Sequence, residues 1–282
     1  TVQRIEKKGN ATRLMAVRLK LEPGVVLLGS GVLDGAPIAH GRDSGRLVEG
    51  PVQFVVCQLV RQTESVPPAP VLEHLGRVCD YRIGTASGPL QREALLAGVR
   101  DAHGLVCLIT DRIDREVIDA GQHLRIVANV GVGYNNIDLE AYTKARVMAT
   151  NTPGVLNDTT GDFTWALILA TARRVTEAEA YLRAGQWNGW KLKQFLGMDV
   201  HHATLGIFGL GRIGQVVARR AIGFEMKVIY HDVRRAAPEI EQTCRASFMS
   251  KDELLMQADI VTIHVPYSPA THHLIGKAEL KQ

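Results

Sequence analysis

Thr204-Leu205-Gly206-Ile207-Phe208-Gly209-Leu210-Gly211-Arg212-Ile213-Gly214 reads as a short apolar strand that turns through glycines directly into a helix. Each glycine of the turn has its own task. Gly209 permits the tight turn, Gly211 lets the backbone come close to a phosphate, and Gly214 lets the new helix pack close to the strand. The free N–H groups and the positive dipole end of that helix then face an anion. A second apolar strand, Met226 to Tyr230, follows and ends in His231-Asp232. Asp232 lies eighteen residues beyond Gly214, close to the ~20 expected of a carboxylate that holds the adenosine ribose hydroxyls. The pattern predicts a nicotinamide dinucleotide site, against the alternative of a βαβ unit with no ligand. Asp232 accepts from a free 2′-hydroxyl and repels a 2′-phosphate, which favours NAD(H). Arg234 and Arg235 follow at once and keep NADP(H) open.

Working outward, the 282 residues suffice for two domains of ordinary size. Apolar residues are 46% and charged residues 22%, an ordinary globular balance. The net charge of +4 is spread out, with no basic stripe interleaved with aromatics, so nucleic acid is not an expected partner. Cys57, Cys79, Cys107 and Cys244 form no CxxC pair. They read as buried free thiols of a cytoplasmic protein rather than disulfides, and no metal site is expected. The apolar run Val25 to Leu28 is broken by Gly29, too short for a membrane span.

Residues 1–50 are rich in glycine and charge and weakly periodic, and they read as a poorly ordered extension. From Pro51 the pattern becomes regular. Strands are expected at 52–60, 79–83, 104–110, 125–130 and 147–151, with helices at 70–78, 91–102, 113–124 and 137–145. Such alternation predicts an open, mostly parallel sheet with helices on both faces. After Pro153-Gly154 one long helix is expected over 157–185, with Phe163, Ala166, Leu167, Leu169 and Ala170 on a wide apolar face. A second sheet is expected through 205–208, 227–230 and 260–264.

Ligands of open α/β sheets sit outside the carboxyl ends of the strands. Two further segments fall at such ends. His264-Val265-Pro266 would line the dinucleotide with backbone. Asn129-Val130-Gly131-Val132-Gly133-Tyr134 offers accessible N–H groups that suit a small carboxylate, or forms a mere turn. Reduction of a ketone also needs a proton donor. None of the ten histidines has a carboxylate partner by spacing. His201, His202, His272 and His273 read as loop residues, and His264 as a flank of the cofactor.

From about Pro51 to Gln282 the chain resembles the D-isomer-specific 2-hydroxyacid dehydrogenases, most closely their glyoxylate/hydroxypyruvate reductase branch. The matching text is Asn129 to Asp138 (NVGVGYNNID), Asn151 to Leu156 (NTPGVL), Gly185 to Trp190 (GQWNGW), the glycine fingerprint, and Ala258 to Val261 running into His264-Val265-Pro266. The resemblance implies an α/β protein of two Rossmann-like domains, with the NAD domain inserted into a flavodoxin-like substrate domain. The boundaries expected are 1–50 for the extension, 51–154 for the substrate domain and 155–282 for an incomplete NAD-binding domain. Val132 and Gly133 would offer N–H groups to the substrate carboxylate. Arg212 and Ile213 would touch the pyrophosphate, with Leu210 in the same cofactor-binding loop. Thr160 would lie near the nicotinamide and Thr271 beside the cofactor.

The resemblance further implies reduction of a small 2-keto acid to the D-2-hydroxy acid by a homodimer. The family's catalytic Arg, Glu and His would lie beyond Gln282, so no catalytic residue is expected in this chain. The chain is expected to be a C-terminally shortened form, inactive as it stands and poorly soluble through an open sheet edge. The alternatives are a non-catalytic dinucleotide-binding protein on the same fold, or a formate or phosphite dehydrogenase of this scaffold.

Overall fold

The computed structural model describes residues 2–3, 18–19, 53–56, 69–77, 79–83 and 91–281. The chain divides into two compact units, Thr1–Pro153 and Gly154–Gln282. Near the start, β1 (Val2–Gln3) and β2 (Arg18–Leu19) pair antiparallel. The rest of the extension expected over residues 1–50, the outer parts of the 52–60 strand and Cys57 lie outside the described residues.

Unit 1 carries β3 (Gln53–Val56), β4 (Asp80–Ile83), β5 (Gly104–Leu108), β6 (Ile126–Val130) and β7 (Met148–Thr150) in one wholly parallel sheet. The spatial order β4-β3-β5-β6-β7 is the flavodoxin-like order 2-1-3-4-5. Helices α1 (Ala69–Gly76), α2 (Arg92–Val99), α3 (Arg115–Ala120) and α4 (Leu139–Ala145) connect the strands. Leu95 and Val99 of α2, Val117 of α3 and Tyr142 of α4 pack with Leu105, Cys107 and Val127 of the sheet. α3 is shorter than expected. Ile113 is taken into a parallel bridge with Ile137, and Gly121 caps the other end by donating its N–H to the Val117 carbonyl at 2.9 Å.

Unit 2 carries β8 (Thr204–Phe208), β9 (Lys227–His231), β10 (Ala246–Phe248) and β11 (Ile260–Ile263), again all parallel. Their order, β10-β9-β8-β11, is 3-2-1-4, the first four strands of the Rossmann arrangement. Helices α5 (Asn157–Ala172), α6 (Val175–Arg183), α7 (Arg212–Ala221), α8 (Pro238–Cys244) and α9 (Lys251–Gln257) complete it. β10, three residues long, shows no period in the sequence.

The single helix expected over 157–185 is two helices. Arg174 takes a left-handed conformation, φ 53°, between α5 and α6. The break has a tertiary cause: the segment before β8 docks on the end of α5. Met198 donates its N–H to the Ala172 carbonyl at 3.0 Å, and a Cβ on Gly197 would lie 2.1 Å from that same oxygen. The expected apolar face of α5 is corrected too. Phe163 and Leu167 are 63% and 52% exposed, whereas Gly161, Trp165 and Ala172 are buried. The buried line packs on α7. A Cβ on Gly161 would lie 2.4 Å from Val216 Cγ1, Trp165 Nε1 donates to the Val217 carbonyl at 3.1 Å, and the indole stacks on Phe224 at 4.7 Å. No described helix is long and apolar enough to cross a membrane.

Candidate functional site

In unit 2 the glycine turn joins β8 to α7 beside β11, where the strand order reverses. Gly209 has φ +90°, and a Cβ there would lie 2.9 Å from Val265 Cγ1. A Cβ on Gly214 would lie 2.1 Å from the Gly209 carbonyl, while one on Gly211 would meet nothing within 4 Å. Helix and strand are therefore in close contact at Gly214, and the space beside Gly211 is open. Among the described residues nothing accepts from the N–H groups of Gly211, Arg212 or Ile213. These are the orphan donors of a helix start.

Asp232 closes the second side. Its Oδ2 accepts the Leu210 N–H at 2.9 Å and its Oδ1 the Val233 N–H at 2.7 Å. The loop after β11 forms the third side. His264 donates its N–H to the Phe208 carbonyl at 2.7 Å. Thr271 Oγ1 donates to the Pro266 carbonyl at 2.7 Å and accepts the Ser268 N–H at 2.8 Å, which ties the loop into a closed turn. So Gly209 to Ile213, Asp232 and the loop holding Val265, Pro266 and Thr271 gather at the carboxyl ends of β8, β9 and β11. Thr160 stands on the first turn of α5, and no hydrogen bond links its hydroxyl to that cluster.

The two arginines after Asp232 differ. Arg235 forms a two-pronged pair with Glu241, Nε to Oε1 and Nη2 to Oε2, both at 2.9 Å. Glu241 also accepts the Tyr230 hydroxyl at 2.7 Å. The Arg235 guanidinium, then the Tyr230 hydroxyl, hold the Glu241 carboxyl below its usual range. Burial first, then Glu241, push the Tyr230 phenol up to about 12. Arg234 has no partner among the described residues. Burial lowers the pKa of His264, which favours the neutral ring. Its Nε2 lies 2.9 Å from Thr262 Oγ1. Among the described residues His202 meets a carboxylate, Glu225 at 3.4 Å, both exposed on a turn.

In unit 1 the turn after β6 is held to the end of β7. Thr152 donates its N–H to the Gly131 carbonyl at 2.9 Å, and Asn151 Nδ2 donates to the Val132 carbonyl at 2.8 Å. Asn129, 1% exposed, donates through Nδ2 to the Gly133 carbonyl at 2.7 Å. The motifs beginning at Asn129 and Asn151 thus form one hydrogen-bonded unit. A Cβ on Gly131 would lie 2.1 Å from Ile109 Cγ2, so a side chain there would require Ile109 to move. Among the described residues nothing accepts from the N–H groups of Val132 and Gly133. The partners of Asn136 and Asn151 lie 19 to 28 residues away in the chain, so spacing alone assigns these two amides no role. Beside this turn a cleft of about 390 Å³ is lined by residues including Thr110, Asp111, Arg112, Asn135 and Asn136.

Cys79, Cys107 and Cys244 are buried free thiols. Burial pushes the Cys107 thiol up to about 12.

Residues 165–282 match the family model described as D-isomer specific 2-hydroxyacid dehydrogenase, NAD binding domain. The chain is 48% identical over 196 residues to a glyoxylate reductase of Thermococcus gammatolerans, covering 68% of this chain and 58% of that protein. The chain therefore spans under two thirds of the length of this curated relative. Among solved structures, the TT0316 protein from Thermus thermophilus is 39% identical, with a TM-score of 0.71, covering 81% of this chain and 70% of that one. A glyoxylate reductase from Paecilomyes thermophila is 31% identical, with a TM-score of 0.68, covering 82% of this chain and 70% of that one. Shared sequence on shared parallel-sheet architecture makes the assignment direct: the chain belongs to the D-isomer specific 2-hydroxyacid dehydrogenase family.

Proposed function

We propose that the whole protein reduces a small 2-keto acid, glyoxylate or hydroxypyruvate, to the D-2-hydroxy acid with NADH. The observation that carries the reading is the start of α7. Consecutive N–H groups without internal acceptors face open space at the point where the strand order of unit 2 reverses. Those donors fit a pyrophosphate. When bound, the reduced nicotinamide supplies a hydride to the substrate carbonyl.

The chain's own residues bind and orient. Gly209, Leu210, Gly211, Arg212, Ile213 and Gly214 hold the pyrophosphate. Asp232 accepts from the ribose while its Oδ2 keeps the Leu210 N–H. Val265, Pro266 and Thr271 wall the cofactor, and Thr160 lies near the nicotinamide. Val132 and Gly133 donate to the substrate carboxylate. In this reading residues 51–154 are the substrate domain and 155–282 the NAD-binding domain, behind an extension over 1–50. No residue of this chain is assigned the proton transfer. The exposed Phe163 and Leu167 on α5 suit contact with a second copy, in a homodimer.

The cofactor preference follows from charge. Asp232 disfavours a 2′-phosphate, and Glu241 occupies Arg235, which leaves Arg234 alone to serve one. NADH binding ahead of NADPH is the expected result. Glu241→Gln should narrow that gap by releasing Arg235, read as the ratio of the two dissociation constants. Glyoxylate-dependent oxidation of NADH tests the reaction itself. NADH binding without turnover by the full natural protein would favour the second reading, a non-catalytic dinucleotide-binding protein.

A further inference from the structure

Three consecutive carbonyls in the turn after β6 are all taken by donors within unit 1. Gly131 O accepts from Thr152 N at 2.9 Å, Val132 O from Asn151 Nδ2 at 2.8 Å, and Gly133 O from Asn129 Nδ2 at 2.7 Å. A trans peptide carries its C=O and the next residue's N–H on opposite edges of one plane. Adjacent residues, Asn151 and Thr152, hold the Gly131 and Val132 oxygens. The N–H groups of Val132 and Gly133 therefore both turn away from that side, where no described group accepts from them. Pro153 supports this by holding Thr152 in extended backbone.

The orientation of the Asn129 amide is fixed by the Gly133 carbonyl, which can only accept. Asn136 Nδ2 donates to the carbonyls of Leu108 at 3.0 Å and Asp111 at 3.1 Å. Asn129 turns Nδ2 to Gly133 at 2.7 Å, and its Oδ1 and Nδ2 lie 3.3 and 3.5 Å from the amide of Asn136. Cys107 Sγ also points at Oδ1, at 3.4 Å.

We propose that Asn151 is a positioning residue for anion recognition: its side-chain amide holds the Val132–Gly133 peptide plane, beside the Gly133–Tyr134 plane that Asn129 holds, so that the Val132 and Gly133 N–H groups point outward together and take the carboxylate of a small 2-keto acid. This rests on the assignment of Val132 and Gly133 to the substrate carboxylate. Neither asparagine touches the ligand. Asn151 governs the Gly133 N–H, whereas the Val132 N–H stays under the backbone of Thr152.

The test has two readouts on the full chain, with Asn151→Asp, which keeps the shape but removes the donor, and Asn151→Ala, which adds no charge. The first needs no ligand. Residual dipolar couplings report the directions of the Val132 and Gly133 N–H vectors. The Gly133 vector reorients in both variants while the Val132 vector and the melting midpoint stay close to the parent. An unmoved Gly133 vector overturns the proposal. The second is titration with oxamate, a carboxylate probe that is not reduced. In the parent both amide signals shift saturably, and in the variants affinity falls about tenfold or more, the scale of a lost charge-assisted hydrogen bond. A reoriented Gly133 vector with unchanged oxamate affinity also overturns it. A parent whose two amides ignore oxamate, with the vector still governed by Asn151, would instead remove the substrate-site assignment and with it the recognition role.

Discussion

Gly214 is the residue on which the strand-to-helix turn depends most. The space a Cβ would need is already filled by the Gly209 carbonyl, 2.1 Å away. Gly214→Ala must push backbone, not a flexible side chain, and is expected to cost about 1–3 kcal/mol in urea unfolding. The same variant should weaken NADH binding, because the start of α7 moves with it. A second residue sets an acid limit. Lys251 Nζ lies 2.6 Å from Glu279 Oε1, and the Gly276 N–H donates to Oε2 at 2.9 Å. Lys251, then that N–H, hold the Glu279 carboxyl down to about 2. A carboxyl depressed on folding contributes stability above its unfolded pKa, and that contribution is lost as pH falls through the folded value. Unfolding followed from pH 5 down to pH 2 should therefore lose a component in Glu279→Gln that the parent shows. At this scale Gly209 and Gly214 were legible, since each answers a local demand of the turn. Asn129, Asn136 and Asn151 were not, because an amide's role depends on carbonyls brought to it by the fold.

Elements were legible where period and length agreed. The strands at 104–108, 126–130 and 204–208 are buried on both faces and read as continuous apolar runs. The break between α5 and α6 was not. Its cause is the docking of Gly197 and Met198 on the Ala172 carbonyl, and nothing in the residues of the helix announces it. The apolar face of α5 misled for a related reason. Apolar residues circle the helix, so the sequence could not choose the side that Gly161 and Trp165 turn to α7. Trp165→Ala is expected to cost about 3–5 kcal/mol in unfolding free energy. Trp165→Phe keeps the stack on Phe224 and loses the bond to the Val217 carbonyl, so it should cost about 1–3 kcal/mol. A Trp165→Phe loss near zero would show that the indole N–H contributes nothing.

At the scale of the molecule, two parallel sheets of different strand order each place a set of unpartnered backbone N–H groups at strand carboxyl ends. One set suits a pyrophosphate, the other a small carboxylate. The alternation of strands and helices made the double α/β plan readable, whereas the strand orders needed the structure. Everything proposed for this protein depends on dinucleotide binding at the glycine turn of unit 2. The most direct test is a fluorescence titration of the chain with NADH, run beside Asp232→Ala and Gly214→Ala. Saturable binding, weakened about tenfold or more when the Asp232 hydrogen bonds are removed, is the result the account predicts. A folded chain that leaves NADH fluorescence unchanged, or binds it equally well in all three forms, would contradict it.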